Sequence, residues 1–130
     1  MPDAYGRIAA AYAACDPQLI TAVDLLPARN VHSVRFRLTL SDGSRLHVSE
    51  EWLRGSLNAY SYYWLDVDHA LIQGWDNAPH HTHLDNYPHH THVGISSARQ
   101  PSYATTLEDV LAIIESRLCN AGPTPTADSK

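Results

Sequence analysis

Lysine is all but missing from this chain: of its nine Lys and Arg residues, only Lys130 is lysine. With a formal net charge of -5 at pH 7, attraction of nucleic acid by bulk charge is excluded, because that binding displaces counterions with many cations. Any contact with nucleic acid has to be local. Arginine offers a planar fork suited to carboxylate or phosphate, so the few cations present are of the kind that orient a partner. Cysteine is also scarce. Cys15 and Cys119 stand far apart and outside any Cys-x-x-Cys or finger spacing, which excludes a disulfide framework and a structural zinc finger and predicts reduced thiols. No apolar run approaches the ~20 residues of a membrane helix, and the first residues lack the charged, apolar and small-residue regions of a signal peptide. The expectation is a cytoplasmic protein that makes no use of a membrane.

What is present suits one domain. The chain has 130 residues, 44% hydrophobic and 18% charged, enough apolar material for a single core and too little net charge to force disorder. In the Ala-rich stretch 4–14, Tyr5, Ile8, Ala9 and Tyr12 recur at helical spacing, which predicts an amphipathic helix ended by Pro17. Residues 19–26 read as a strand. Val34, Phe36, Leu38 and Leu40 alternate with polar residues, and after Asp42-Gly43 the alternation resumes at Leu46 and Val48. That pattern is an antiparallel hairpin with one apolar face and a two-residue turn. Glu50 keeps the parity of Leu46 and Val48, so its carboxylate either meets a cation or donor on the core side or lies solvated beyond the strand's end.

Residues 59–67 read as an aromatic-rich central strand, with Tyr60, Tyr62 and Trp64 on one face and Tyr63 on the other. Residues 70–76 complete a second hairpin. From Asn77 to Gly94 there is no helical period, and Pro79 and Pro88 forbid a continuous central strand, so this segment is expected to be a loop or an edge. Thr105 or Thr106 caps a last helix whose apolar stripe is Leu107, Val110, Leu111, Ile114 and Leu118. The predicted fold is α+β: an N-terminal helix, an antiparallel β-meander of about five strands, and a C-terminal helix packed on the sheet. The domain spans 1–119, with a disordered tail at 120–130. This order of elements is compatible with the barnase and RelE type of ribonuclease, an analogy at fold level only.

The composition has one outlier. Of nine histidines, most sit in a short internal repeat, Pro79-His80-His81-Thr82-His83 and Pro88-His89-His90-Thr91-His92. Three readings of this segment stay open. In extended chain His81 and His83 share a side, as do His90 and His92, so the two pairs can hold a metal ion such as zinc or nickel. Paired imidazoles also serve as acid and base near neutral pH, which is what metal-independent RNA cleavage needs, with Tyr60 and Tyr62 as platforms for exposed bases or as core residues. Thirdly, Asp76, Asn77 and the histidines form a hydrogen-bonded cap or a non-catalytic surface for a partner protein.

The run Tyr60-Ser61-Tyr62-Tyr63-Trp64, then Trp75-Asp76-Asn77-Ala78-Pro79-His80-His81 and Pro88-His89-His90-Thr91-His92, with Asp42-Gly43-Ser44 and Glu50 upstream, resembles the TumE-like family of toxins from bacterial toxin-antitoxin modules. The resemblance covers roughly residues 19 to 94 and implies a small cytosolic toxin, neutralised by a DNA-binding antitoxin and acting on RNA as an endoribonuclease without a cofactor. By position it points to His80, His81, His89, His90, His92 and Glu50 as candidate catalytic residues, with Glu50 orienting an imidazole. Trp64, Trp75, Asp76 and Asn77 are the supporting set. Two positions depart from the family pattern: Tyr63 stands where His is common, and Thr91 where Lys is common. Without that lysine, the phosphate cation is expected to be Arg35, Arg37, Arg54 or a protonated histidine.

Overall fold

A computed structural model describes residues 2–79, 86–94 and 99–121. It is an α+β fold: helix α1 (Ala4–Ala13), strands β1 (Ile20–Leu25), β2 (Ser33–Leu40), β3 (Arg45–Leu53), β4 (Ser56–Leu65), β5 (Leu71–Asp76), β6 (His90–Val93) and β7 (Gln100–Pro101), then helix α2 (Leu107–Ala121). The strands form one seven-stranded antiparallel sheet in sequence order. Each strand pairs with the next in sequence, which makes the sheet a meander.

The alternation in β2 and β3 settles which face is buried. Val34, Phe36, Leu38 and Leu40 pair across the ladder with the row of Leu46, Val48 and Glu50, and these positions are buried while their neighbours are half-exposed. In β4 the same side carries Tyr60, Tyr62 and Trp64. Both helices cover that side, with Ala11 of α1 and Leu107, Val110, Leu111 and Ile114 of α2 completing the core. The β2–β3 loop spans Ser41–Gly43, closed by Leu40 N donating to Ser44 O, with Gly43 at φ +87. It is one residue longer than the two-residue turn expected, a three-residue form that also needs glycine in the left-handed region.

Three expectations are corrected. The segment read as loop or edge contains β6, which starts two residues after Pro88 and is paired on both sides, with β5 and β7. A proline before the strand removes no ladder donor, so it limits where the strand begins without preventing it. With β7 added, the sheet has seven strands rather than about five. Helix α1 turns only part of the expected stripe inward: Ile8 and Tyr12 pack against the core, but Tyr5 is 71% exposed and Ala9 is exposed, while Arg7 and Ala11 are buried. An ion pair made by Arg7 accounts for the difference. Helix α2 runs through Ala121, and of the tail 120–130 the residues 122–130 lie outside the described ones.

Candidate functional site

On the helix-covered side, Glu50 is 1% exposed. Arg7 donates to it from Nε (2.8 Å) and from one terminal nitrogen (3.1 Å), Tyr62 donates its hydroxyl (2.6 Å) and Trp52 its indole N–H (3.1 Å). Arg7 also donates to Glu108 on α2 at 2.9 and 3.1 Å, and its guanidinium lies 5.1 Å from the centre of the Trp52 ring. A buried carboxylate is tolerated when its lone pairs are filled in this way. The network ties α1, β3, β4 and α2 together. It also fixes protonation: burial and the Glu50 carboxylate push the Tyr62 hydroxyl far above its ordinary value, and the hydrogen bond from Arg7 holds Glu108 below the usual carboxylate range.

Among the described residues Glu50 bonds Arg7, Tyr62 and Trp52, whereas the carboxylate that meets an imidazole is Asp76, at His90. Tyr62 is 0% exposed, and its ring is stacked on Tyr60, with centroids 5.0 Å apart. It lies in the core and offers no face to a base. Tyr60 is buried too, and its hydroxyl lies 2.8 Å from His89 Nδ1, the rings stacking at 5.8 Å. Trp64 donates to Ser44 and Trp75 is fully buried. Thr91 also faces the helices: it donates to Gly74 O and accepts from Gln73, which in turn binds Arg117 of α2.

The opposite side of the sheet has no helix over it among the described residues. Residues paired directly across strands share a face, so the register builds two polar lanes there. One runs Arg35, Ser49, Ser61, Asp76, His90; the other runs Arg37, His47, Tyr63, Gly74, His92. His90 and His92 therefore lie on one face, two residues apart on β6. His90 Nε2 is 2.8 Å from Asp76 Oδ1 and its Nδ1 is 3.1 Å from Pro88 O. Asp76 further accepts from Ala78 N (3.0 Å) and from the Tyr63 hydroxyl (3.3 Å). Asn77 holds the chain end of β5 by accepting from Tyr60 N and donating to Asn58 O.

His92 meets the Tyr63 ring edge-on at 5.9 Å. Gly74 beneath them makes this approach possible, since a Cβ there would stand 2.6 Å from the Tyr63 ring and 2.7 Å from His92 Nε2. Burial and then the nearby Arg99 lower the proton affinity of His92, outweighing the pull of Asp76, while burial lowers that of His89. Burial and the Asp76 carboxylate raise Tyr63. At neutral pH the face thus offers a neutral imidazole and a protonated phenol.

A cleft of about 500 Å³ opens where this face reaches the end of the sheet, its walls including Ser49, Ser61, Tyr63 and Asp76 from the open side and Glu50 and Tyr60 from the helix-covered side, with Arg29 beside them. Of the expected phosphate cations, Arg37 is paired with Asp24 at 2.8 Å, and Arg54 sits at φ +53 in the β3–β4 turn. Arg35 donates to Pro27 O and lines a second recess beside the cleft. A lysine at position 91 would not stand beside the histidines either, because strand alternation turns that position toward the helices. His80, His81 and His83 lie outside the described residues. Among the described residues no three His, Cys, Asp or Glu side chains converge as metal ligands would. Sequence reasoning missed Arg7, Arg29, His47, Ser49 and Ser61. The last three follow from the odd-numbered, non-core positions of β3 and β4, a signal present in the alternation itself.

A family model described as Toxin TumE matches residues 12–118. No curated protein matches the chain, and no solved structure does.

Proposed function

The chain belongs to the TumE toxin family, and from that premise we propose that it is the toxin of a toxin-antitoxin module and acts as a metal-independent endoribonuclease on the open face of its sheet. The observation that carries this reading is the side-by-side placement of Asp76–His90, Tyr63 and His92 next to an arginine-bearing cleft of about 500 Å³. In this reading the neutral His92 takes the 2'-hydroxyl proton of RNA, and the 2'-oxygen attacks the adjacent phosphorus. The Tyr63 hydroxyl turns its single proton from the long bond to Asp76 to the charged phosphorane, and a second imidazole of the repeat, His80 or His81, protonates the departing 5'-oxygen. His90, held between Asp76 and Pro88, is a positioning residue that sets the Asp76 carboxylate under Tyr63. The products are a 2',3'-cyclic phosphate and a free 5'-hydroxyl. The partner is a DNA-binding antitoxin, whose positive charge would complement the net charge of -5.

The test incubates tag-free protein with a long unstructured RNA in EDTA and analyses the ends. Wild type is expected to leave cyclic phosphate, and His92→Ala to cleave about 10²–10⁴-fold more slowly at a temperature where both proteins are fully folded. Equal rates in wild type and His92→Ala, or activity that requires added metal, would sink the mechanism. Cleavage that stops in EDTA and returns with stoichiometric zinc or nickel would move the site to the metal reading.

A further inference from the structure

Beside the main cleft lies a smaller recess of about 120 Å³, walled by Arg29, Arg35, His47, Ser49, Ser61 and Tyr63 among others. Every polar side chain in that wall can donate a hydrogen bond, and no carboxylate lines it among the described residues, in contrast to the larger cleft, which carries Glu50, Glu51 and Asp76. Two of the donors stand out. Arg35 Nε and His47 Nε2 are buried atoms with no hydrogen-bond partner among the described residues. A buried polar atom left unpaired costs about 1–3 kcal/mol, and orphans of this kind call for an explanation. Arg35 is meanwhile held from its other end by Pro27 O at 3.1 Å, so its fork is fixed before any ligand arrives. Ser49 and Ser61 are cross-strand partners, which sets their hydroxyls on one face within reach of one group.

We propose that this recess binds a phosphate group, and that the group is a backbone phosphate of the RNA strand flanking the one that is cut. A tetrahedral oxyanion presents several acceptors at once, which is what converging guanidinium, imidazole and hydroxyl donors require. The recess adjoins the cleft through Ser49, Ser61 and Tyr63, which line both, but its unpartnered donors Arg35 and His47 lie on β2 and β3, two to four strands from Asp76 and His92 on β5 and β6. At ~4.8 Å per strand that is roughly 10–19 Å, which suits a phosphate further along the strand rather than the one held at Tyr63 and His92. The recess would thereby set the register of the strand over His92, positioning by phosphate contact without reading a base. The assignment of the phosphate to RNA rests on the proposed ribonuclease activity; the anion-binding chemistry of the recess does not.

The experiment titrates inorganic phosphate into the full chain while following the Arg35 Nε–H and His47 ring resonances by NMR. In parallel it measures binding of a 2'-O-methyl oligonucleotide, which has no free 2'-hydroxyl to attack with. Phosphate is expected to shift both resonances, and Ser49→Asp, which places an acid in the recess, to abolish the shift. Arg35→Gln is expected to weaken oligonucleotide binding about tenfold and to lower its salt slope by about one, with Ser49→Asp doing the same should Arg35→Gln disturb the β1–β2 loop. Resonances that ignore phosphate overturn the site, and leave water as the occupant. A phosphate shift with oligonucleotide binding equal in wild type and Ser49→Asp overturns the assignment to a strand. If RNA is never cleaved but both binding effects appear, the ribonuclease reading falls and the recess stands; if cleavage is intact in Ser49→Asp and phosphate shifts nothing, the reverse holds.

Discussion

The two sides of one sheet treat their charged residues in opposite ways. Under the helices, Glu50 meets Arg7, Tyr62 and Trp52, and Arg7 goes on to Glu108, so that every strong donor has its acceptor. On the open side, Arg35 and His47 keep buried nitrogens without a partner among the described residues, and Tyr63 lines the cleft with the buried His92 packed against its ring. A closed network holds elements together and has nothing left to give a ligand. Residues left under-satisfied on a rigid support are the ones available for binding and catalysis. Glu50 stands at the meeting of the two sides: it is tied into the closed network and also forms part of the wall of the cleft.

The largest effect should come from breaking the closed side. Glu50→Ala leaves the Arg7 guanidinium buried without its main partner and is expected to cost about 3–5 kcal/mol, read as a lower midpoint in urea denaturation. A near-neutral result would show that water reaches Arg7 and that the network is weaker than its geometry. Gly74→Ala acts on the open side. Its Cβ would collide with Tyr63 and His92, an overpacking worth about 1–3 kcal/mol, and RNA cleavage should fall further than stability alone explains. Retained activity would detach those two side chains from the chemistry.

The smallest effect, pH, separates the two sides. His47, His89 and His92 are all lowered from 6.5, chiefly by burial, so below that pH the unfolded chain binds protons that the native chain resists, and stability falls as pH drops from about 6.5. Glu108 is lowered from 4.5 by Arg7; its contribution is complete above that value and is lost as pH falls through its native value. Thermal melts from pH 8 to 3 should therefore show a plateau, a first decline attributable to the histidines and a second to the closed network. Glu108→Gln is expected to remove part of the second and leave the first. A stability that rises on acidification below 6.5 would contradict the assignment of neutral histidines.

Much of the fold was legible because strand alternation is local. Val34 to Val48 announced both the hairpin and its buried face, and Leu107 to Leu118 announced α2 with Thr106 at its cap, where Thr106 Oγ1 accepts from Asp109 N. The face of α1 was legible only in part. Ile8 and Tyr12 pack on the core as their spacing suggests, but Tyr5 is a larger apolar signal than Ala11, and the burial of Arg7 depends on its partner Glu50, 43 residues away in sequence. The strand β6 was hidden for a related reason: at four residues it carries too short a pattern to outweigh its proline and its histidines, and its existence depends on pairing with β5.

By itself, the sequence determined the class of fold, the family to which the chain belongs and the residue types available for chemistry, because composition, alternation and capping are read within a few residues of each other. Tertiary structure alone decided which of those residues meet. It sent Glu50 and Tyr62 into a closed network, placed Thr91 and His92 on opposite faces of one strand, and gathered Arg35, His47, Ser49 and Ser61 from β2, β3 and β4 into one recess. Those outcomes depend on which strands become neighbours and in what register, and no local pattern carries that information across the chain.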